Sequence, residues 1–416
     1  MRETRTLEYK EKISNSFLKT VSAYANYGTG RIIFGVDDQG SAVGIDDPVK
    51  ACLDIENKIN DSISPKPAFT LQIDEDKQVI TLTVSEGIHK PYLYKAKAYK
   101  RNDSSTVEAD RLDLTSLILE GENLTFDELP SHTQELKFSS LEKKLKENVG
   151  IENFSTDILR TLGLFSKDRK FNNAASLLAD KNDFPGIDIA RTEENISYIL
   201  DRRTFSGISV LDQYDLTIEM YRQYYQYEVI DGIKRRSIEK IPETAFREAC
   251  ANALIHRNWN IPANIRIIMF PDRIEMISPG GLPNGVTKED YLQSKVSILR
   301  NPILGGVFFR MHYIEHFGTG VLRILESYKN SSRKPVFDIN ENSIRVVLPD
   351  IVNEKLSADQ QIVYEMMKDG SEIATKDVIE HTGFSRSKST AVLKSLVSDG
   401  FADIVGRGRG TKYRKK

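Results

Sequence analysis

Glu248, Asn252 and His256 stand four residues apart in the run REACANALIHRN, residues 247–258, among alanines and aliphatic residues. Four residues advance a helix by about 40°, so the three polar groups span roughly 80° and share one face. An amide oxygen on such a face can hold a divalent cation while the neighbouring carboxylate orients or deprotonates a water, which is the chemistry of nucleotide hydrolysis. Ala249, Ala251 and Ala253 would let this helix lie close to a sheet. Two glycine segments follow, Ser278-Pro279-Gly280-Gly281 and Gly318-Thr319-Gly320.

A second set of acids lies near the N-terminus. Glu8 and Lys10 are two apart on the alternating stretch TLEYK, hence on one face of a strand, and the apolar strand RIIFGVD ends in Asp37. Together with Glu3, these carboxylates could bind Mg²⁺ or Mn²⁺ and support phosphodiester hydrolysis, with Lys10 neutralising transition-state charge. Basic residues point to nucleic acid in two further places. Lys90, Lys100, Arg101, Ser104 and Ser105 could line a phosphate-facing surface of the N-terminal sheet. Near the other end, SRSKSTAVLKSLVSDG offers Arg386, Lys388 and Lys394 outward, with Ala391, Leu393, Leu396 and Val397 inward. Residues 404–416 then add Arg407, Arg409, Lys412, Arg414, Lys415 and Lys416 without an acid.

Three blocks of elements must position these groups. In the first, TLEYK reads as a strand, SNSFLKTVSAYANY as a helix, RIIFGVDDQGSAVGI as two strands about a turn, and FTLQID with QVITLTVS as a hairpin. Residues 131–150 are polar and suit a linker that becomes an exposed helix. The second block carries helices at DILRTLGLF, NNAASLLAD and VLDQYDLTIEMYRQYYQY, a strand at DIARTEE, and the Glu-Asn-His helix. A hairpin of NIRIIMF and RIEMISPGG follows, and the block closes on the pair VFDI and SIRVVLP. The third has three short helices, capped at Ser357, Thr375 and Ser385 and stopped at Gly370, Gly383 and Gly400, then a glycine-tipped wing. That order predicts a winged helix-turn-helix.

At 416 residues the chain exceeds one ordinary core. With 39% hydrophobic and 28% charged residues it has the composition of a globular protein, and no stretch is apolar enough to cross a bilayer. The charged, non-apolar start and the presence of only two cysteines predict a cytoplasmic protein without a disulfide framework. Six histidines without zinc-type spacing give no metal-finger pattern.

The order Glu-x3-Asn-x3-His, strand pair, glycine turn, long loop and Gly-Thr-Gly resembles the GHKL-type ATP-binding fold of gyrase B, histidine kinases and MutL. More narrowly, REACANALIHRN, RIEMISPGGLPNGV, RNPIL and IEHFGTGVLRI resemble the divergent branch of bacterial transcriptional regulators labelled after the RecG helicase C-terminus. There a Schlafen AlbA-type domain precedes the ATPase-like module and a winged helix often follows. The resemblance implies ATP and Mg²⁺ as cofactors, with Glu248 as the water-activating acid and Asn252 as the Mg²⁺-binding amide. It places Gly280 and Gly281 in the first glycine box, and Gly318, Thr319 and Gly320 in the second, whose N–H groups would face phosphates. Arg300 and Asn301 fall in the lid, and Ser278 stands where the superfamily has the Asp that reads adenine. In the N-terminal domain Glu3, Glu8 and Asp37 match the metal-binding acids of Schlafen nucleases.

The expected fold class is α+β multidomain. Residues 1–128 would form the Schlafen AlbA-type domain, 129–155 a linker and helix, 156–350 the GHKL-like α/β sandwich and 354–416 the winged helix-turn-helix. The expected function is an ATP-binding transcriptional regulator in which nucleotide orders a lid and so alters nucleic-acid binding. DNA is favoured over RNA, and a homo-oligomer is expected. The alternative is a metal-dependent nuclease acting in defence against foreign nucleic acid.

Overall fold

The alternating N-terminal stretch forms β1 (Leu7–Lys10), and the helical run after it forms α1 (Phe17–Tyr27), buried along almost its whole length. The computed structural model describes residues 3–231, 234–283, 285–296, 298–314, 318–331, 333–351, 356–367, 371–406 and 408–415. After α1 come β2 (Gly30–Phe34), α2 (Pro48–Ser62), β3 (Ile63–Ser64), β4 (Phe69–Asp74), β5 (Val79–Val84), β6 (Leu93–Tyr94), β7 (Tyr99–Asn102), β8 (Ser105–Glu108) and α3 (Arg111–Gly121). The first sheet runs β1-β2-β5-β4, with β1 and β2 parallel and β4–β5 an antiparallel hairpin. Phe17 of α1 meets Phe34 of β2 edge-on at 5.3 Å.

Two departures from the sequence pattern have local causes. The second strand expected beyond Asp37 shrinks to one bridge between Val36 and Ala42, because the Asp37 carboxylate accepts from the N–H groups of Gln39 and Ser41 and closes the turn on itself. Helix α2 is not among the expected elements, although Val49, Cys52, Ile55 and Ile59 keep helical spacing; its buried residues are only Pro48, Ile55 and Ile59. It is started by an Asp47 cap and a proline at its first position.

The central elements are α4 (Ser139–Val149), α5 (Thr156–Thr161), α6 (Asn173–Leu178), β9 (Ile187–Thr192), β10 (Ile199–Phe205), α7 (Val210–Tyr225), β11 (Gln226–Asp231), β12 (Lys234–Glu239), α8 (Glu243–Ile255), β13 (Ile265–Phe270), β14 (Arg273–Pro279), α9 (Lys288–Leu292), α10 (Pro302–Arg310), α11 (Gly320–Ser327), β15 (Val336–Ile339) and β16 (Ser343–Pro349). Their six-stranded sheet has the order β10-β9-β13-β14-β16-β15. Only the β9–β13 pair in it is parallel. Helices α7 and α8 supply Tyr214, Tyr221, Phe246 and Leu254 to the same core as Ile265, Ile267 and Met269 of β13. The polar stretch expected to be a linker with an exposed helix buries Phe138, Leu141 and Leu145 in that core, each worth about 1.5–3 kcal/mol when fully withdrawn from water.

Arg257, just beyond α8, is wholly buried, with no carboxylate on it among the described residues. Its guanidinium donates to the carbonyls of Pro185, Ile261 and Ala263 and lies 4.1 Å over the Trp259 ring, and burial lowers its pKa to about 10. The α8–β13 loop is thereby stapled to the start of β9.

The C-terminal elements are α12 (Ala358–Met366), β17 (Glu372–Ile373), α13 (Thr375–Thr382), α14 (Arg386–Ser398), β18 (Ala402–Val405) and β19 (Lys412–Lys415), around their own core of Val363, Val378, Leu393, Leu396 and Tyr413. Ser357 and Ser385 cap α12 and α14, and Gly383 ends α13 at φ +71°. Thr375 is instead the first residue of α13. Ala374 holds the cap position, where its N–H donates to Asp377. On α14 Val392 rather than Ala391 is buried, and Gly370 lies outside the described residues. No described helix is long and apolar enough to cross a membrane.

Helix α10 takes its cap from far away in the chain. Asp127, fully buried, accepts from the N–H groups of Ile303 and Leu304 at 2.8 and 3.0 Å. Replacing it by Ala should cost about 1–3 kcal/mol, the penalty for leaving buried donors unmet. The measurable outcome is faster hydrogen exchange at the start of α10 and a lower urea midpoint, with Asp127→Asn losing less.

Candidate functional site

Helices α8 and α11 meet where α11 begins. A Cβ on Gly320 would lie 2.8 Å from Asn252 Nδ2, closer than real side chains come, and 3.0 Å from Glu248 Oε2. The absence of a side chain there brings the N-terminus of α11 directly onto the two polar groups of α8. Gly318 reaches this point at φ +63°, a conformation that favours glycine. No side chain caps α11, and the positive end of its dipole faces Asn252 and Glu248. Glu248 is only 5% exposed and accepts a hydrogen bond from Arg323 Nη1 at 2.9 Å. Arg323, three residues beyond Gly320, lies on the same face of α11.

A cavity of about 270 Å³ opens at this junction. Glu248, Asn252 and His256 all line it, as do Gly281 and the whole of Gly318-Thr319-Gly320, while Leu282, Val286, Leu299, Phe309 and Ile314 give it apolar walls. Burial, and then the charge of nearby Arg300, pushes His256 down to about 4, so the ring is neutral at physiological pH.

Several residues expected to touch a cofactor have their polar groups held by the protein itself. The Ser278 hydroxyl donates to the Ala253 carbonyl at 2.9 Å and lines a separate void of about 20 Å³ behind α8. The N–H of Gly280 donates to Asn342 O and that of Gly281 to Glu341 O, so both are committed to the 340–342 turn. Asn301, expected in the lid, is fully buried, and its amide donates to the carbonyls of Ile255 and Arg257, closing the end of α8. Arg300 donates to Gly281 O, and burial lowers its pKa. The same burial that makes these groups good scaffold obliges each to find a backbone partner. Arg323 was absent from the residues read as functional, although its i+3 relation to Gly320 was available in the spacing of GTGVLRI.

The N-terminal acids do not converge. Glu8 is 3% exposed and takes the Arg101 guanidinium, the Thr20 hydroxyl and Lys10 Nζ. Glu3 accepts from Tyr9 N, and Asp37 serves its own turn. Among the described residues no three His, Cys, Asp or Glu side chains stand close enough to hold a metal ion. This corrects the expected Glu3-Glu8-Asp37 cluster: Glu3 is held by the Tyr9 N–H, Asp37 by its own turn, and Glu8 by the buried Arg101 guanidinium. The basic residues of the expected phosphate-facing surface have partners within the chain. Lys90 sits between Glu86 and Glu120, Lys100 pairs with Asp113, and Arg101 is buried on Glu8. Ser105 donates to its own turn at Asn102 O, next to half-buried Ser104.

On the C-terminal unit Arg386, Lys388 and Lys394 are exposed along α14. Lys388 pairs with Asp359 and Lys412 with Glu372, both on the surface, where such pairs are worth about 0–1 kcal/mol and yield readily to a better anion. Arg407 and the Arg409 side chain lie outside the described residues.

Three segments match protein-family models. Residues 3–110 match "Schlafen, AlbA_2", residues 263–348 match "Putative ATP-dependent DNA helicase recG C-terminal", and residues 360–416 match "Transcriptional regulator DIP2311-like, C-terminal domain". These agree with the families suggested by the motifs, though the second match begins after α8 and so leaves out Glu248, Asn252 and His256. Among solved structures, the crystal structure of the DIP2311 protein from Corynebacterium diphtheriae is 18% identical over 99% of this chain and 92% of its own, with a TM-score of 0.50, a likeness of fold. The N-terminal domain of "Putative ATP-dependent DNA Helicase RecG-related Protein" from Nitrosomonas europaea, solved by NMR, is 28% identical over 27% of this chain and 85% of its own, with a TM-score of 0.21. No curated protein matches.

His256 gives the site a pH signature. Its folded pKa lies below the ordinary 6.5, so folding releases a proton that the unfolded chain would keep. Stability from this residue should be complete above about pH 6.5 and fall as pH drops toward about 4. Ring NMR resonances should titrate near the lower value, and His256→Gln should remove this part of the pH dependence.

Proposed function

We propose that the chain is a nucleic-acid-binding regulator whose central cavity binds a Mg²⁺-nucleotide, ATP by the sequence resemblance, and whose nucleotide state alters its grip on nucleic acid. The observation that carries this reading is the contact of Asn252 and Glu248 with the side-chain-free start of α11, where a cation ligand and a helix N-terminus share one cavity. The Asn252 amide oxygen would hold the Mg²⁺, and the backbone of Gly318-Thr319-Gly320 would face the phosphates. The apolar walls would take the base. When bound, the metal supplies neutralisation of phosphate charge. At about 270 Å³ the cavity is close to the lower end of the roughly 300–1,000 Å³ of ligand sites.

Glu248 supports binding more than turnover. A carboxylate already accepting from the Arg323 guanidinium must break that bond before it can serve a water as base. The nucleotide then acts as a ligand that biases conformation, as the regulator reading requires.

The cavity wall supports a route outward. Leu282, Pro283, Ile298 and Leu299 line it on one side and, on the other, face a second cavity of about 220 Å³ bounded by Ser116, Leu119 and Glu120 of α3. A ligand that orders this wall therefore changes what α3 packs against. At the C-terminal end, α14 with the β18–β19 strands fits a winged helix whose exposed Arg386, Lys388 and Lys394 would approach DNA.

Calorimetric titration with Mg²⁺-ATP should give saturable binding, and Asn252→Ala should weaken it by about 10-fold or more, about 1.4 kcal/mol, with the thermal midpoint retained. Wild-type protein that binds no nucleotide would end this reading. For DNA, log affinity should fall linearly with log salt. Arg386→Ala and Lys394→Ala should each flatten the slope by about 0.9, the share of one phosphate contact. A gel-shift series over salt concentration measures both, and an unchanged slope would remove α14 from the interface.

A further inference from the structure

The six-stranded sheet ends in two unlike edges. β15 has four residues, follows Pro335 and carries Asp338, features that discourage pairing with another chain. β10 has seven, and among the described residues no strand pairs with its outer side. Leading into it, Ile196, Tyr198, Ile199 and Leu200 are 57, 65, 53 and 50% exposed. Single exposed apolar residues are ordinary, but four such side chains beside an open strand edge mark a contact surface. A register shift against β9 between Ile199 and Asp201 leaves Leu200 as an extra residue, and both Ile199 and Leu200 stay in solvent.

The charges that follow are arranged for a copy of the same strand. Read antiparallel against itself about Arg202, the sequence Ile-Leu-Asp-Arg-Arg-Thr-Phe sets Asp201 opposite Arg203 twice and Ile199 opposite Phe205 twice. Asp201 and Arg203 share one face, since they bond each other at 3.0 Å. Only Arg202 meets its own kind, and each Arg202 already carries the Asp188 carboxylate at 2.6 Å. An isologous two-fold contact demands this self-complementarity.

We infer that β10 is the edge through which two copies of this chain pair antiparallel, joining their central sheets, with Ile196, Tyr198 and Leu200 covered by the contact. The pair has the two-fold symmetry of a palindromic duplex site.

Sedimentation velocity of the full chain over a micromolar concentration series should show a monomer–dimer equilibrium. Asp201→Arg and Arg203→Asp each set like charges opposite and should weaken it by about 10-fold or more. The double variant D201R/R203D should recover it, because the pairs re-form in reverse. Leu200→Lys, at an exposed position, should weaken the dimer without disturbing the fold, and circular dichroism with thermal unfolding verifies that each variant is folded. A monomeric wild type, a dimer indifferent to these changes, or a folded double variant that fails to recover would overturn the inference. None of these readouts depends on nucleotide, so they stand apart from the fate of the central cavity.

Discussion

The contact of Gly320 with Asn252 and Glu248 is the constraint around which the central site is arranged. The start of α11 comes this close to two polar side chains of α8 because Gly320 brings no side chain of its own. Once it has done so, the buried carboxylate of Glu248 needs a counter-charge, since removing a carboxylate from water costs several kcal/mol. Arg323 supplies that charge from the same helix, one turn on. The placement of α11 therefore shapes the cavity and makes the burial of Glu248 tolerable.

Holding α8 in place takes most of the polar groups around it. Asn301 closes its C-terminal end, Arg257 ties the following loop to three carbonyls, and the Ser278 hydroxyl donates to Ala253 O from the sheet beneath. Asp127 does the same service for α10, whose Gly305, Gly306 and Phe309 form part of the cavity wall. Each of these groups would cost about 1–3 kcal/mol if buried without a partner. Residues that look available for a ligand in the sequence are thereby consumed by the backbone that positions the ligand's cavity.

Charge is disposed in a similarly unequal way. In the N-terminal unit Lys10, Lys90, Lys100 and Arg101 all face carboxylates, and the Arg101–Glu8 pair is withdrawn from water. In the C-terminal unit the cations are exposed, and their pairs are of the weak surface kind. The C-terminal unit therefore offers exposed cations to a polyanion, although the net charge of the whole chain is −2.

Local pattern was enough to locate α1, the β4–β5 hairpin, the helix bearing Glu248, Asn252 and His256, the β13–β14 hairpin and the three C-terminal helices, because their helix formers, alternation or turn residues are written in adjacent positions. It missed α2, whose apolar stripe is only partly buried, and the pairing of β10, whose partner lies elsewhere in the chain. Sequence also indicated that Glu248, Asn252 and His256 share a face, since helical geometry fixes that from spacing alone. Which polar groups remain open to a ligand was decided only in the tertiary structure. Arg101 reaches Glu8 across 93 residues, Arg323 reaches Glu248 across 75, and Asp127 reaches α10 across 176. A side chain's partner is set by what folding brings within about 3 Å, and no local period carries that information.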